Sequence, residues 1–151
     1  MPTPEDLTIQ RSADLELDVN ELWALVSTAQ GWASWLVDDA DLDISPNSTG
    51  IATVDETERA VRIHSVVEGR RVSFSWWDLG EDDRTRTDES SMSYVQLDIV
   101  ELPDGRSRLN VSEQLGAAST ATASASLSSA LKWEVAMVSL WLLALHSLVM
   151  A

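Results

Sequence analysis

The chain has 151 residues, of which 44% are hydrophobic, and it contains no cysteine. This length suffices for one well-filled core, so we expect a single domain over residues 1–151. The lack of cysteine excludes disulfides, thiolate nucleophiles and cysteine metal sites, and it fits a reducing cytoplasm. A formal net charge of −15 at pH 7 repels phosphate backbones, which argues against nucleic acid as a partner.

The first predicted elements are a strand and two short helices. Apolar residues recur at alternate positions of the strand and give it one buried face: Leu7, Ile9, Ala13, Leu15 and Leu17. Arg11 interrupts this face at an inward position. Asp18 and Glu21 then form a capping-box pair, which predicts a helix from Val19 to Ser27. Gly31 ends this run, and GWASWL then predicts a second turn or two of helix that carries Trp32, Trp35 and Leu36.

The acidic run DDADLD, residues 38–43, has part of the spacing of a calcium loop, because its aspartates alternate. The sixth position of such a loop needs glycine and here is Ile44, and the twelfth needs glutamate and here is Gly50. The motif therefore fails. We expect a solvated acidic edge that leads into a strand, and no metal site.

The segment from Ala60 to Asp78 predicts a hairpin with its turn at Glu68 and Gly69. Three large residues of its second arm share the face that we assign to the interior: Val72, Phe74 and Trp76. The inward face of the first arm depends on the turn. A two-residue turn places one set inside: Val61, Ile63 and Ser65. A three-residue turn places the alternate set there: Arg62, His64 and Val66.

A second hairpin is predicted from Met92 to Leu102 and from Arg106 to Leu115, around Pro103, Asp104 and Gly105. A three-residue turn sets a register whose inward pairs face the last helix: Ile99 with Leu109, Leu97 with Val111, and Val95 with Glu113. The charged stretch from 79 to 89 is expected to be a mobile loop. The Ala/Ser-rich stretch from 116 to 126 is expected to connect the last strand to the last helix.

The only long segment whose apolar residues recur at helical spacing runs from Leu127 to Met150. Its predicted inward stripe is Leu127, Leu131, Val135, Val138, Leu142, Leu145 and Val149. The opposite side is then apolar as well: Trp133, Ala136, Leu140, Leu143 and Met150. Such an outer face is typical of a partner surface, so we expect a homodimer that uses Leu140 and Leu143. Burial of this face under the 79–89 loop is the intramolecular alternative.

Neither end of the sequence indicates a membrane segment. MPTPEDLTIQ lacks the basic and apolar parts of a secretory signal. The uncharged run from Val135 to Ala151 is shorter than the roughly 20 residues of a membrane span, and Ser139, His146 and Ser147 break it. We therefore expect a cytoplasmic protein that does not cross a membrane.

Titratable groups are sparse on the predicted apolar faces. The histidines are His64 and His146, and neither a G-x-S-x-G nor an H-E-x-x-H motif occurs. Glu113 is in register with Val111, which would place its carboxylate in the apolar interior, where desolvation disfavours the charged form. The alternative is a register break at the strand end that turns Glu113 to solvent. We assign no catalytic residue and no cofactor.

Aromatic side chains on the inward faces predict a cavity for a small hydrophobic ligand, because such ligands favour aromatic walls with few polar groups. The predicted ligand-binding residues are Trp35, Phe74, Trp76, Val95, Leu97, Leu109, Val111, Glu113 and Trp141. Core packing is the alternative for the tryptophans, because a domain of this size with seven of them buries some.

The predicted elements give an α+β arrangement in which a curved antiparallel sheet of six or seven strands wraps around a long C-terminal helix. Three stretches resemble one family with this helix-grip fold: ELWALVSTAQGWASWL, EGRRVSFSWW and RLNVSEQLG. The family is the bacterial START-like (SRPBCC) group related to the C-terminal domain of the activator of heat-shock protein 90 ATPase. The resemblance places seven residues at family-typical positions: Trp23, Trp35, Arg71, Val72, Phe74, Trp76 and Glu113. Glu68 and Gly69 depart from it, since the family usually has two prolines there.

The resemblance implies a hydrophobic cavity under the long helix, and three hypotheses for function follow. The first is a non-enzymatic binder of a small hydrophobic molecule. The second is a cyclase- or hydrolase-like enzyme with Glu113 or His64 as acid or base. The third is a protein-interaction module, chaperone-linked or otherwise.

Overall fold

The computed structural model describes residues 8–79, 92–115 and 123–150, and in the last helix it describes the side chains of 132–145. The strands are β1 (Thr8–Leu15), β2 (Asp39–Asp41), β3 (Thr49–Val54), β4 (Thr57–Val67), β5 (Arg71–Asp78), β6 (Ser93–Glu101) and β7 (Ser107–Gln114). The helices are α1 (Val19–Val26), α2 (Ala29–Trp35) and α3 (Ala123–Met150).

The described strands form one antiparallel sheet in the order β1-β7-β6-β5-β4-β3-β2. The first strand therefore lies beside the last one, and the short acidic β2 forms the opposite edge. The helix α3 packs against β1 and α2. The predicted α+β class, the strand number and the two short helices after the first strand are confirmed.

The helices α1 and α2 form a close pair. The side chain of Asp18 accepts the backbone N–H of Glu21, and the Glu21 side chain accepts the N–H of Asp18, which confirms the predicted capping box. Thr28 caps α2, because its side-chain oxygen accepts the backbone N–H of Gly31. A Cβ on Gly31 would lie 2.5 Å from the carbonyl oxygen of Ala24, so this approach of the two helices requires glycine.

A bulge in β4 settles the register of the first hairpin. The register shifts between Ile63 and Ser65, which leaves His64 as the extra residue. Near the turn, the pairs are those of a three-residue turn: Val67 with Arg71 and Val66 with Val72. Beyond the bulge, the inward pairs are those of a two-residue turn: Val61 with Trp76 and Ile63 with Phe74. Each predicted alternative therefore holds on one side of the bulge.

The second hairpin has the predicted register. The N–H of Leu102 donates to the carbonyl of Arg106 at 2.9 Å and closes a three-residue turn. The inward pairs are Ile99 with Leu109, Leu97 with Val111, and Val95 with Glu113. This prediction is confirmed.

Side chains of α2 and the central strands fill the space above the sheet. Trp32 lies against Phe74 with ring centroids 4.7 Å apart, and Phe74 meets Trp76 edge-on at 5.2 Å. The indole N–H of Trp32 donates to the carbonyl of Val26 at 2.7 Å, so this buried polar group is satisfied. Fully buried aliphatic residues surround the rings: Val61, Ile63, Val72, Val95, Leu97 and Leu109. Phe74 thus contributes to core packing.

The helix α3 meets the sheet with the face opposite to the predicted one. Its buried residues are Trp133, Ala136, Met137, Leu140 and Ala144. Its exposed residues are Val135, Val138, Trp141 and Leu142. Both sets recur at helical spacing, so periodicity could not separate them. The side chains of Leu127, Leu131 and Val149 lie outside the described residues.

The boundaries of α3 also differ from the prediction, since it begins at Ala123, within the predicted connector. Of the predicted mobile loop from 79 to 89, only Leu79 is described, so that prediction and the alternative built on it lie outside the described residues. Within the described ranges, no helix is both long and apolar enough to cross a membrane.

Candidate functional site

Glu113 is a buried carboxylate in β7, with 2% of its surface exposed. Its Oε2 accepts hydrogen bonds from Trp76 Nε1 at 2.8 Å and from Ser93 Oγ at 2.7 Å. Its Oε1 accepts a third from Trp133 Nε1 at 3.0 Å. These three neutral donors replace the water that burial removes. The carboxylate therefore joins β5, β6 and α3 at one point of the core.

The strand register directs Glu113 inward. β7 alternates buried and half-buried residues without interruption from Ser107 to Glu113, and Glu113 lies opposite Val95 of β6. The alternative of a register break at the strand end does not occur. The inward placement predicted from the spacing to Val111 is confirmed.

Arg59 of β4 lies beside Glu113 and Trp76. Its guanidinium carbon lies 4.6 Å from the centroid of the Trp76 ring, a cation–π arrangement. Its Nε lies 3.1 Å from Asp78 Oδ1, in an ion pair that lacks hydrogen-bond geometry. Next to these groups is a cavity of about 20 Å³, which we call the Glu113 cavity. It is lined by Leu36, Val54, Arg59, Trp76, Glu113, Lys132 and Trp133. This volume holds one water-sized group.

A larger open cleft of about 500 Å³ lies between α2, the end of β3 and α3, and we call it the α2–α3 cleft. Its apolar lining comes from Trp35, Leu36, Val54, Val135 and Ala136. Its charged lining comes from Asp38, Asp55 and Lys132. Three of these residues, Leu36, Val54 and Lys132, also line the Glu113 cavity. The Glu113 cavity therefore adjoins the inner wall of the α2–α3 cleft.

Contacts with α1 and with β1 hold the two walls of this cleft in place. The indole N–H of Trp35 donates to the carbonyl of Leu25 at 2.9 Å, so α2 is tied to α1 by side chain as well as by the close contact at Gly31. On the other wall, Glu134 of α3 forms an ion pair with Arg11 of β1, with 2.5 Å between oxygen and nitrogen. The inward position of Arg11, which interrupts the apolar face of β1, thus serves to bind α3.

Lys132 is the single lysine of the chain and is half-buried. Burial lowers the pKa of its ammonium group, and the charge of Arg59 lowers it further. The carboxylates of Asp78, Asp55 and Glu113 act in the opposite direction, each more weakly. Lys132 forms no ion pair within 4.0 Å with a described residue. Since Lys132 lines the α2–α3 cleft, its ammonium group borders the space that a ligand would occupy.

The nine predicted ligand-binding residues fall into three groups. Trp35 lines the α2–α3 cleft, while Trp76 and Glu113 line the Glu113 cavity. Five are core residues: Phe74, Val95, Leu97, Leu109 and Val111. Trp141 is 48% exposed on the outer side of α3, so its predicted place at a cavity wall is wrong. Ligand contact by the first three residues stays a prediction.

His64, the other predicted acid or base, lies away from Glu113 on the outer face of the sheet. Its Nε2 is 2.6 Å from Ser75 Oγ, and its ring centroid is 5.6 Å from that of Tyr94. Because the sheet separates the two groups, His64 and Glu113 cannot act on one substrate. Within 8–79, 92–115 and 123–150, no three histidine, aspartate or glutamate side chains group closely enough to hold a metal ion.

Five residues that line the Glu113 cavity were not among the predicted ligand-binding residues: Leu36, Val54, Arg59, Lys132 and Trp133. Helical periodicity places Trp133 on the outer side of α3, and it leaves the two cations as surface charges. One signal was available, because a lone lysine next to a tryptophan at the start of an apolar helical run marks a charge close to the core.

Solved structures share this architecture at low sequence identity. Protein MLL2253 from Mesorhizobium loti has a TM-score of 0.75 at 15% identity, over 90% of this chain and 95% of its own. The Aha1 dimer from Colwellia psychrerythraea has a TM-score of 0.69 at 14% identity, over 89% and 92% of the two chains. This chain has the START-like helix-grip fold.

The helix-grip fold also occurs in DynU16, a protein in the dynemicin biosynthetic locus, with a TM-score of 0.73 and 15% identity. That match covers 89% of this chain, which spans 46% of the length of DynU16. The fold that the sequence resemblance implied is thereby confirmed. Neither a protein-family model nor a curated protein matches the sequence.

Proposed function

We propose that the protein binds a small hydrophobic molecule in the α2–α3 cleft. The observation that carries this proposal is the cleft itself. Its volume of about 500 Å³ falls within the range of roughly 300–1,000 Å³ that is usual for small-molecule sites. An apolar wall beside a few polar groups is the usual composition of such a site. The membership of DynU16 in a biosynthetic locus supports a small organic molecule as the ligand class.

The proposed site lies at a different place from the one that the sequence predicted. Trp32, Phe74 and the aliphatic residues around them fill the space above the centre of the sheet. A ligand therefore enters beside this core. Trp35 and Val135 then stand on opposite walls of the cleft. Glu113 contributes through the inner cavity, where it fixes Trp76 and Trp133.

Two valines of α3 offer a matched test of this proposal. Val135 lines the cleft, whereas Val138 is exposed one turn further along and is not among its lining residues. The probe is N-phenyl-1-naphthylamine, a neutral dye whose fluorescence rises in apolar sites. We expect saturable binding that Val135→Trp weakens about tenfold or more by filling the cleft, while Val138→Trp leaves it unchanged. Unsaturable binding, or equal effects of the two substitutions, would overturn the proposal.

We also propose that the protein forms a homodimer through the outer side of α3. Its outer stripe, defined as Val138, Trp141 and Leu142, is about half exposed at each residue. Exposed apolar patches of this kind usually mark an interface, and a two-fold axis is the commonest symmetry. Residues 135–145 carry no charge, so two copies of this acidic protein can meet there without local repulsion. The Colwellia psychrerythraea protein with this fold is a dimer.

The interface differs from the one predicted at Leu140 and Leu143. Leu140 is fully buried in its own chain and Leu143 packs partly against the core, so neither is free to form it. Sedimentation at micromolar concentration tests the corrected surface. We expect a wild-type dimer, a monomeric Trp141→Glu/Leu142→Glu variant, and an unaffected Val100→Glu control, since Val100 is exposed on the outer face of β6. A monomeric wild type, or a double variant that still dimerises, would refute it.

A further inference from the structure

One of the two cations around the Glu113 cavity has no paired carboxylate among the residues that the structure describes. Arg59 and Lys132 bring these cations to the described lining, where Glu113 supplies a carboxylate and Asp78 lies 3.1 Å from Arg59 Nε. Both oxygens of Glu113 already accept hydrogen bonds from Trp76, Ser93 and Trp133. Glu113 therefore has its partners and Arg59 is paired with Asp78, so Lys132 is the cation left without an ion pair within 4.0 Å among the described residues.

Lys132 is the more accessible of the two cations. It lines both the α2–α3 cleft and the Glu113 cavity, whereas Arg59 lines only the cavity and already faces Asp78. The four charged groups that act on Lys132 are Arg59, Asp78, Asp55 and Glu113, and burial and Arg59 outweigh the three carboxylates. An anion placed between the two cations would relieve their repulsion in a partly desolvated site, where charge–charge interactions are stronger than in water.

We propose that the ligand of the α2–α3 cleft is a hydrophobic molecule with one acidic group, such as a carboxylate or sulfonate, paired with Lys132 and Arg59. This inference rests on the proposed function. The apolar part of the ligand lies against Leu36, Val54 and Ala136, and one oxygen of the acidic group fits the cavity of about 20 Å³.

The rest of the molecule opposes anions, which makes the inference specific. The net charge is −15, and Asp38 and Asp55 lie in the lining of the same cleft. An anionic ligand that binds more tightly than its neutral counterpart must therefore gain its advantage at the cations. The carboxylate of Asp38 is turned to its own chain, since Oδ2 accepts the backbone N–H of Asp55 at 2.8 Å.

A pair of dyes separates this inference from the proposed function. N-phenyl-1-naphthylamine and 1-anilinonaphthalene-8-sulfonate share one skeleton and differ in a single sulfonate. We expect Lys132→Met, which keeps an unbranched apolar stem and removes the ammonium group, to weaken sulfonate binding about tenfold or more and to change neutral-dye binding less than about twofold. Lys132→Arg retains the charge and should keep the preference for the sulfonate.

The pH dependence of sulfonate binding, measured from neutral to alkaline pH, distinguishes the two cations. Sulfonate affinity of the wild type should fall at a pH below the ordinary lysine pKa of 10.5, because burial lowers the pKa of Lys132. Lys132→Arg should not show this fall, since arginine stays charged. Equal losses of both dyes in Lys132→Met, or no preference for the sulfonate, would overturn the inference and leave the proposed function intact. Failure of both dyes to bind the wild type would overturn the proposed function together with it.

Discussion

The two faces of α3 differ little in hydropathy and completely in environment. The inward face presents Trp133, Ala136 and Leu140, and the outward face presents Val138, Trp141 and Leu142. Each face carries a tryptophan and a leucine. What separates them is fit, since the alanine lets the helix approach the sheet closely and the inward tryptophan has a polar partner at its indole N–H. Three features thus favour the observed orientation of this apolar helix: its shape, the hydrogen bond from Trp133 to Glu113, and the ion pair between Arg11 and Glu134.

Shortening one leucine on each face to alanine should give the largest difference in stability between the two faces. Leu140→Ala removes a fully buried side chain, and we expect it to lower the free energy of unfolding by about 2–5 kcal/mol. Leu142→Ala removes a side chain that is 54% exposed, and at a protein concentration that keeps the chain monomeric it should change stability by less than about 0.5 kcal/mol. Urea denaturation measures both values. Similar losses would mean that the faces have been assigned incorrectly.

The next largest effect is expected at Glu113, which anchors the inward tryptophan. An indole N–H can only donate, so either orientation of the amide in Glu113→Gln would place its NH₂ group against the indole N–H of Trp76 or of Trp133. We expect a loss of about 1–3 kcal/mol in the free energy of unfolding. Ser93→Ala is the milder control, because Trp76 still donates to the same oxygen. A Glu113→Gln protein as stable as the wild type would show that the network does not hold α3 in place.

The smallest effect concerns Lys132, at the border between the two faces. Because burial lowers its pKa in the folded protein, the protonated amine disfavours folding at neutral pH. Lys132→Met should therefore raise the midpoint of urea unfolding at pH 7. The difference from the wild type should shrink as the pH rises through the lowered pKa towards 10.5, where the unfolded chain also releases its proton. A lower midpoint for Lys132→Met at pH 7, together with a difference that stays constant up to pH 10.5, would show that folding does not lower the pKa of Lys132.

Local rules were sufficient for most of the fold. The capping box at Asp18, the register at Pro103 to Gly105 and the alternation of β7 each depend on neighbouring residues, and each is visible in the sequence. The bulge at His64 was not visible, because it reconciles two registers that are each acceptable over half of the strand. Its position depends on how the sheet bends, which is a property of all the strands together.

The candidate site was less predictable, because its parts come from distant segments. Glu113 was identified from strand register, but its donors lie on β5, β6 and α3. Lys132 became part of the site only through the orientation of α3, which periodicity had inverted. The α2–α3 cleft lies where α2, the end of β3 and α3 meet. Its shape depends on all three elements together, so it cannot be predicted from any one of them.

The pairing of β1 with β7 also sets the order in which the chain can fold during synthesis. Ser107 Oγ donates to the carbonyl of Leu17 across 90 residues, and Arg11 pairs with Glu134 across 123. At translation rates of about 5–20 residues per second, these partners emerge roughly 5–25 s after β1. The first strand therefore leaves the ribosome long before it can be paired. The charges of Arg11 and Asp14 interrupt this strand, which makes it a poorer template for aggregation during that interval.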